Sequence, residues 1–485
     1  MKTHLVKNLD DIQGDVLLPV SEEMKPLAEQ PIAKSLSLHN QTLFLDDFES
    51  SDSEVRTLYT GERRIILLKL GKNTNSDALI KTFRRFAKKN APLLKNLSSI
   101  VFTSPSIDSK TLLSSALCGL KVGEYDGGLY KQNRSESKTD FDLGIYIENI
   151  SEQELSEICI KAEHVAEVQM RVMDLMNTPG NRKSADTLAD WANESAKKWA
   201  YEADIFDLGW IKDNGMLAIE AVNRGSETPA KFIVLRYKPE NVGNCPKVGL
   251  VGKGITYDTG GLSIKPSDSM IYMKSDMGGA AAVLGTVELA ARLALPIELV
   301  AAVPVTDNLV DALAIKPGDV IGSYSGKSIE VLNTDAEGRL ILADALNWMA
   351  KHENPDHIID LATLTGAAVR SLGYSAAALM GNDQTLLDSL IAAGEESGER
   401  VWPFPLWDEY FDELKSDVAD LRNIGLKPIA GQIIAGKFLE QFIENHKSWA
   451  HIDIAGTAFG DTEFGRNKNA TAYGVRLLLQ YLENI

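Results

Sequence analysis

Six charged side chains in the second half of the chain have the types and spacing that could bind metal ions and support hydrolysis. They are Lys253, Asp258, Asp276, Asp335, Glu337 and Arg339. Three of them lie within five consecutive residues, 335–339, inside the stretch VLNTDAEGRLILADAL at 331–346. The others lie in separate upstream segments. Four carboxylates gathered without compensation raise one another's pKa values and repel. Such a cluster therefore predicts bound cations, and two divalent metals would balance its charge.

Each of these residues taken alone also has a simpler structural interpretation. An acid at a helix start is most often a cap or a partner of the helix dipole. Arg339 could pair with Glu337 or Asp335, and a lone Lys253 is more often a solvated side chain. The metal hypothesis rests on their joint placement, because candidate ligands from separate segments map to one edge of a predicted sheet.

The elements that must position these side chains are alternating strands and helices. Predicted strands lie at 231–237, 247–253, 296–304 and 357–366. Predicted helices lie at 278–295 and 340–352. The strand sequences are apolar and rich in β-branched residues, which is typical of strands buried on both faces of a mostly parallel sheet. Open sheets of this kind bind ligands beyond the carboxyl ends of their strands.

The N-terminal part predicts a second, smaller α/β domain. Strand-like and helix-like patterns alternate between 63 and 105, and a long helix then begins at a Ser/Glu capping pattern and stops at Asn-Thr-Pro-Gly, 177–180. We therefore predict an α/β protein of two domains, the larger with a mostly parallel central sheet flanked by helices. The predicted divisions are an N-terminal domain at 1–150, a connecting helix and linker at 151–182, and a catalytic domain at 183–485.

Composition and charge disfavour several classes of function. The 485 residues carry 68 acidic and 50 basic side chains, for a net charge of −18. This balance opposes general binding to nucleic acid or to an anionic membrane. No apolar run reaches the roughly 18 residues that cross a bilayer, and the start has no secretory signal pattern. Three cysteines without a C-x-x-C pair indicate no disulfide framework, so we expect a cytoplasmic protein.

Other functions compete with a metallohydrolase. The stretch GSYSGKS, at 322–328, looks like a phosphate-binding loop, but it has three residues between its glycines instead of four. A strand-like run follows it where that loop requires a helix, which disfavours a nucleotide site. Two alternatives stay open: a binding protein whose N-terminal domain grips nucleic acid or a nucleotide beside a vestigial metal site, and a two-metal phosphoesterase.

The motifs around the charged residues resemble those of the leucyl aminopeptidase family, the cytosol aminopeptidases. The most specific is NTDAEGRL, at 333–340, which occurs together with VGKGITYDTGGLSIKP, at 251–266, and MKSDMGGAAAVLGT, at 273–286. Matches such as NTPGN, DLATLTGA and WAHIDIAGTAF extend the resemblance over essentially all of 170–485. It implies a metal-dependent aminopeptidase that releases N-terminal residues, preferably leucine-like, from peptides with a free N-terminus.

Carried over residue by residue, the family's dinuclear metal site falls on five of these positions. Lys253 and Asp276 help to hold one metal, Asp335 helps to hold the other, and Asp258 and Glu337 bridge both. Lysine ligates only as the neutral amine, so Lys253 would need a folded pKa well below its ordinary value. The implied ions are zinc or manganese, with magnesium or cobalt as further possibilities.

The resemblance also implies roles for residues outside the ligand set. Lys265 is placed to bind the scissile carbonyl and the developing oxyanion, and Arg339 to hold a bicarbonate ion that acts as general base. Leu364 contributes a backbone contact to substrate. The pocket for the first side chain corresponds to Met273, Thr363, Gly366, Ala455 and Ala458. The family forms hexamers, so the implied assembly is a homohexamer.

Overall fold

The computed structural model divides the chain between Glu167 and Val168 into two units, each built on its own sheet. It describes residues 2–21, 31–36, 38, 41–60, 63–103, 107–134, 142–240, 243, 245–461 and 463–485. No helix in these ranges is long and apolar enough to cross a membrane.

The first unit is built on a six-stranded sheet with helices. Its strands are Lys2–Leu5 (β1), Asp15–Val20 (β2), Val55–Thr60 (β3), Arg63–Lys69 (β4), Leu97–Val101 (β5) and Asp142–Tyr146 (β6). Its helices are Pro31–Ser35 (α1), Thr42–Ser50 (α2), Ser76–Lys89 (α3), Ala91–Leu94 (α4) and Ser109–Val122 (α5). The strand order is β1-β6-β5-β2-β4-β3, and the strands pair in parallel except for β3 with β4. The predicted α/β character of the N-terminal part is confirmed.

A 26-residue helix, Glu152–Asn177 (α6), contains the division between the two units. Its start has the predicted capping pattern, because the Glu154 amide donates to Ser151 Oγ at 3.2 Å and the Ser151 amide donates to the Glu154 carboxylate at 3.0 Å. Pro179, which has no N–H to continue the helical hydrogen bonds, lies just beyond its end. The predicted long helix is therefore present.

The second unit is built around a larger sheet. Its strands are Glu202–Phe206 (β7), Lys231–Tyr237 (β8), Lys247–Gly252 (β9), Gly254–Asp258 (β10), Glu298–Asn308 (β11), Asp319–Ile321 (β12), Ile329–Val331 (β13), His357–Ala362 (β14), Ala377–Gly381 (β15), Val401–Pro403 (β16), Leu421–Arg422 (β17), Trp449–Asp453 (β18), Phe459–Asp461 (β19) and Asn469–Ala470 (β20). Its α-helices are Ala185–Trp199 (α7), Leu208–Asp213 (α8), Leu217–Asn223 (α9), Ser267–Met270 (α10), Gly278–Arg292 (α11), Glu337–Trp348 (α12), Gly366–Leu372 (α13), Gln384–Ser397 (α14), Gly431–Glu440 (α15) and Val475–Asn484 (α16).

The centre of the large sheet is parallel and its flanks are antiparallel. The order is β16-β15-β18-β14-β9-β11-β8-β7, with β10 added to β11. Strands β18, β14, β9, β11 and β10 run parallel, whereas β15 is antiparallel to β18, and β8 to β11. The predicted mostly parallel sheet is confirmed. Because parallel strands end at the same edge, Lys253 after β9, Asp258 at the end of β10 and Asp453 at the end of β18 share one edge.

One strand that leads to the candidate ligands lies outside this sheet. The run before Asp335 forms β13, which belongs to a three-stranded sheet of order β12-β13-β17. The expectation that every ligand segment maps to one sheet edge is therefore wrong for Asp335 and Glu337. These two residues are placed by helix α12, which packs against β11 and β9 of the large sheet. The same β13 follows GSYSGKS, so this segment lacks the helix that a phosphate-binding loop requires.

Helix α11 lies against the sheet at a point where only glycine fits. Its residues from Gly278 to Ala290 are all buried. A Cβ atom at Gly279 would overlap the carbonyl group of Leu361 in β14. The absence of a side chain at this position therefore lets the backbones of α11 and β14 approach, and this approach places the Asp276 turn beside the sheet edge.

We predict that Gly279→Ala lowers the free energy of unfolding by about 3 kcal/mol, because the neighbouring atom is strand backbone and cannot move aside cheaply. Urea unfolding followed by circular dichroism measures the change. Gly460→Ala is the control, since the nearest atom to its added Cβ is a Tyr374 ring carbon at an ordinary 3.8 Å. Equal stability of the two variants would contradict the close approach of α11 to β14.

Candidate metal centre

The turn after β10 brings two parts of the candidate site together. Gly260 and Gly261 have φ angles of 86° and 62°, a region that favours glycine. The Gly260 amide donates to Asp258 Oδ1 at 2.8 Å, and the Lys265 amide donates to the Thr259 carbonyl at 2.9 Å. The chain therefore folds back on itself, and the Lys265 side chain returns to the Asp258 carboxylate.

Two lysines lie among the four candidate carboxylates. Lys253 Nζ is 2.7 Å from Asp276 Oδ2 and 3.0 Å from Glu337 Oε1. Lys265 Nζ is 2.7 Å from Asp258 Oδ2 and also pairs with Asp335. Each lysine thus joins two acids from different segments of the chain. Five of these six side chains are at least 85% buried, and Asp335 is 32% exposed.

Three of the acids form a group with the dimensions of a metal site. Oxygen atoms of Asp258, Asp335 and Glu337 lie within 4.8 Å of one another. Asp276 lies in the turn that precedes α11 and pairs with the same Lys253 ammonium group as Glu337. The structure therefore brings together all five predicted ligands, with Asp276 linked to the others through Lys253.

The charges in this cluster depend strongly on one another. Burial raises the pKa of Asp258 well above its ordinary value, and the nearby Glu337 and Asp276 carboxylates raise it further. Burial by itself would lower the pKa of Lys253, but the surrounding carboxylates outweigh burial and raise it. The same balance raises the pKa of Lys265. With the protein's own charges alone, both lysines are therefore held as ammonium ions.

The donor set fits divalent cations. Glu337 Oε2 is buried and has no hydrogen-bond partner within the described ranges, so a carboxylate oxygen faces the cluster unsatisfied. Carboxylate oxygens suit zinc, manganese, magnesium and cobalt, and one neutral amine is an acceptable further ligand. Divalent cations at these acids would disfavour the ammonium form of Lys253, since like charges lower a lysine pKa. The lowered Lys253 pKa expected from the sequence would therefore require divalent cations at these acids.

Arg339 lies in the first turn of α12, two residues after Glu337 of the carboxylate cluster. Its Nη1 donates to the Asn423 carbonyl at 2.8 Å, while Nε is buried and has no hydrogen-bond partner in the part of the chain described. Burial lowers the Arg339 pKa to about 10, although Glu337 and Asp453 oppose the shift. The side chain therefore stays cationic and keeps a free donor with which to bind a small anion.

The predicted substrate pocket is assembled from the ends of β14 and β18. Thr363, Leu364 and Gly366 follow β14, and Ala455 and Ala458 follow β18. Around the start of α11 the segments meet, because a Cβ at Gly278 would lie 3.2 Å from both Ala458 Cβ and Thr363 Cγ2. Met273 begins the short 3-10 helix Met273–Ser275, immediately before Asp276. Thr363 Oγ1 donates to Asp276 Oδ1 at 2.8 Å. This hydrogen bond connects the predicted pocket to the carboxylate cluster.

Sequence reasoning missed two asparagines that hold the site together. Asn308 Nδ2 donates to Asp258 Oδ1 at 2.8 Å and to the Thr334 carbonyl at 3.0 Å. Asn423 Nδ2 donates to the Asn333 carbonyl at 2.7 Å, and its own carbonyl accepts from Arg339. The available signal for Asn308 was its position a few residues beyond the predicted strand at 296–304, near the strand end where ligand-binding residues are expected.

Known proteins resemble this chain in sequence and in fold. Residues 170–479 match the model of the cytosol aminopeptidase family, catalytic domain. A protein named probable cytosol aminopeptidase from Chloroherpeton thalassium is 39% identical, with 100% of each chain covered. Another with the same name, from Chlorobaculum tepidum, is 43% identical, with 90% of each chain covered.

A solved structure shows the same fold. A mutant tomato leucine aminopeptidase superimposes with a TM-score of 0.87 at 30% sequence identity, and the match covers 100% of this chain and 97% of that one. The likeness therefore includes the N-terminal unit, whose sequence motifs were the less specific part of the resemblance.

We predict that Glu337→Gln weakens binding of zinc or manganese by about 100-fold, the upper end of the loss for a group that merely supports a ligand. The amide keeps the shape but removes the charge at the centre of the cluster. Equilibrium dialysis measures the affinity, and thermal unfolding checks the fold.

The matched control is Glu330→Gln, in β13, whose carboxylate accepts from Ser416 Oγ outside the cluster. This variant is expected to bind metal as the wild-type protein does. Equal affinity of Glu337→Gln and wild type would remove Glu337 from the metal site.

Proposed function

Because the chain belongs to the cytosol aminopeptidase family, we propose that it is a leucyl aminopeptidase that uses two divalent metal ions to release apolar N-terminal residues from peptides. Family membership supports a metal-dependent aminopeptidase acting on peptides. The observation that carries the finer proposal is the buried carboxylate cluster bridged by Lys253 and Lys265 at the family's motif positions.

We assign the metal ligands to the five residues of this cluster. The carboxylates of Asp258, Asp276, Asp335 and Glu337, together with the Lys253 amine, would hold the two ions. The two ions when bound supply Lewis acidity, which polarises a carbonyl group and makes water a nucleophile near neutral pH. Lys253 would serve as a ligand in its neutral amine form, with its proton released to solvent.

Lys265 is proposed to stabilise the negative charge that develops on the scissile carbonyl oxygen. Its side chain is 85% buried, and its ammonium group pairs with both Asp258 and Asp335. Burial by itself would lower the pKa of this lysine, but the surrounding acids raise it, so with the protein's own charges the side chain is a cationic hydrogen-bond donor. A charged donor fixed before the reaction starts stabilises an oxyanion without reorganisation.

Arg339 is proposed to hold a bicarbonate ion, which would supply a general base at the site. Its guanidinium group is oriented by the Asn423 carbonyl, and its buried Nε keeps a donor available. Planar guanidinium donors match the planar oxygen pairs of such an anion. In the ranges described, no histidine contacts the cluster to serve as a general base. A bound bicarbonate ion would supply that base.

The proposed pocket favours leucine-like first residues because its lining is small and apolar. Gly366, Ala455 and Ala458 leave room for a branched side chain, and Met273 adds an adaptable apolar wall. Leu364 offers its backbone carbonyl to the substrate, because its amide donates to Asp453. A pocket of this kind distinguishes apolar side chains that differ by one methylene only modestly.

We propose further that the enzyme is cytoplasmic and assembles as a homohexamer, as the family resemblance implies. The net charge of −18 makes nucleic acid an unfavourable partner.

The purified protein is expected to hydrolyse leucine amide, to lose this activity on chelation, and to recover it when zinc or manganese is added back. N-acetylated leucine amide should not be cleaved, since the free amine is needed for binding. Release of ammonia measures both reactions. Turnover of a phosphate ester without turnover of leucine amide would instead favour a two-metal phosphoesterase.

Lys265→Ala is expected to lower kcat for leucine amide by about 100- to 1,000-fold, the usual effect of removing one oxyanion donor. Metal content, measured by elemental analysis, should stay at the wild-type level. Lys316→Ala is the control, because Lys316 forms its ion pair with Asp319 in an exposed turn. Loss of metal from the Lys265 variant would contradict the proposed role.

A further inference from the structure

Asp453 is a buried carboxylate that the proposed mechanism does not use. It ends β18 and pairs in register with Ala362, the last residue of β14. The residue is fully buried, and an ionised group in such a place costs free energy unless donors surround it. Its donors come from the two segments that leave these strands.

Four hydrogen bonds converge on the Asp453 carboxylate. Oδ1 accepts from the amides of Leu364 at 3.1 Å, Thr365 at 3.4 Å and Ala455 at 3.1 Å. Oδ2 accepts from the Thr365 hydroxyl at 2.6 Å. An asparagine of the same shape has only one acceptor oxygen, so it cannot satisfy all four donors.

The loop held by Asp453 also contacts two proposed metal ligands. The Thr363 carbonyl accepts from Lys253 Nζ at 3.0 Å, and Thr363 Oγ1 donates to Asp276 Oδ1 at 2.8 Å. Residues 363–365 are therefore fastened to Asp453 at one end and to the carboxylate cluster at the other.

The same bonds determine where helix α13 begins. Thr365 Oγ1 donates to Asp453 and accepts from the Ala368 amide at 3.1 Å, which makes Thr365 the N-cap of the helix. Gly366, a proposed pocket residue, is the first residue of that helix. The Thr365 hydroxyl therefore links the position of Asp453 to the position of Gly366 in the proposed pocket wall.

We propose that Asp453 is a positioning residue that sets the preference of this site for large first side chains. It holds Leu364, Gly366 and Ala455 in a constant position relative to the metal ligands, so a side chain that fills the pocket has its peptide bond in place for attack. The proposal rests on the aminopeptidase function and deepens it. A small first residue, which does not reach the pocket wall, depends less on this arrangement.

The test compares kcat/KM for leucine amide and alanine amide in Asp453→Asn and Thr365→Val, each reconstituted with manganese. We expect the leucine-to-alanine ratio of kcat/KM to fall about tenfold in both variants, within the range of discrimination that an apolar pocket provides. Thr365→Ser, which keeps the hydroxyl, should recover the wild-type ratio.

A general loss of folded enzyme lowers both rates by the same factor and leaves their ratio unchanged. Thr286→Val is the matched control, since Thr286 is equally buried but its hydroxyl donates to the Ala282 carbonyl within α11. An unchanged ratio in both Asp453→Asn and Thr365→Val would overturn the proposal.

Hydrogen exchange distinguishes a failure of this proposal from a failure of the proposed aminopeptidase function. Deuterium uptake is measured by mass spectrometry in peptides that cover 363–366 and 454–458. Faster uptake there in Asp453→Asn than in wild type supports the positioning role, and unchanged uptake overturns it. Failure of the wild-type enzyme to cleave either amide would count against the aminopeptidase function, whatever the exchange result.

Discussion

Mutual repulsion among four buried carboxylates is the constraint on which the rest of this structure depends. Acids as close as Asp258, Asp335 and Glu337 cannot all be ionised in a buried site unless positive charge lies between them. The chain supplies part of that charge through Lys253 and Lys265, each of which bridges two acids from different segments. The two ammonium groups compensate part of the negative charge of the four acids, and divalent ions would compensate more of it. The same excess of negative charge therefore accounts for the lysines and favours metal binding.

This requirement explains why the surrounding loops are fixed by hydrogen bonds from buried polar side chains. Asn308 joins the Asp258 carboxylate to the segment that carries Asp335, and Asn423 joins that segment to Arg339. Asp453 does the same for the loop after β14. A carboxylate that moved by an ångström would lose its charge partner, and these bonds oppose such movement.

The parallel sheet makes the arrangement possible with short connections. Strands β9, β10, β14 and β18 end at one edge, so residues such as Lys253 and Thr363, which are 110 positions apart in the chain, become neighbours. Helix α11 must lie very close to this edge to present Asp276, and Gly279 permits that approach. Glu337 is the first residue of helix α12. This position is favourable for a carboxylate because the helix dipole is positive there.

The sequence by itself determined the α/β class, the long helix at 152–177, the central strands and the identity of the charged residues, because periodicity, capping patterns and specific motifs are local properties. It did not determine that β8 runs antiparallel or that β13 lies outside the large sheet, since strand direction and sheet membership depend on pairing with distant segments. It also did not reveal Asn308, Asn423 or Asp453 as supports of the site. An asparagine or aspartate has no distinctive local pattern, and only the tertiary structure decides which distant amides and carbonyls it meets.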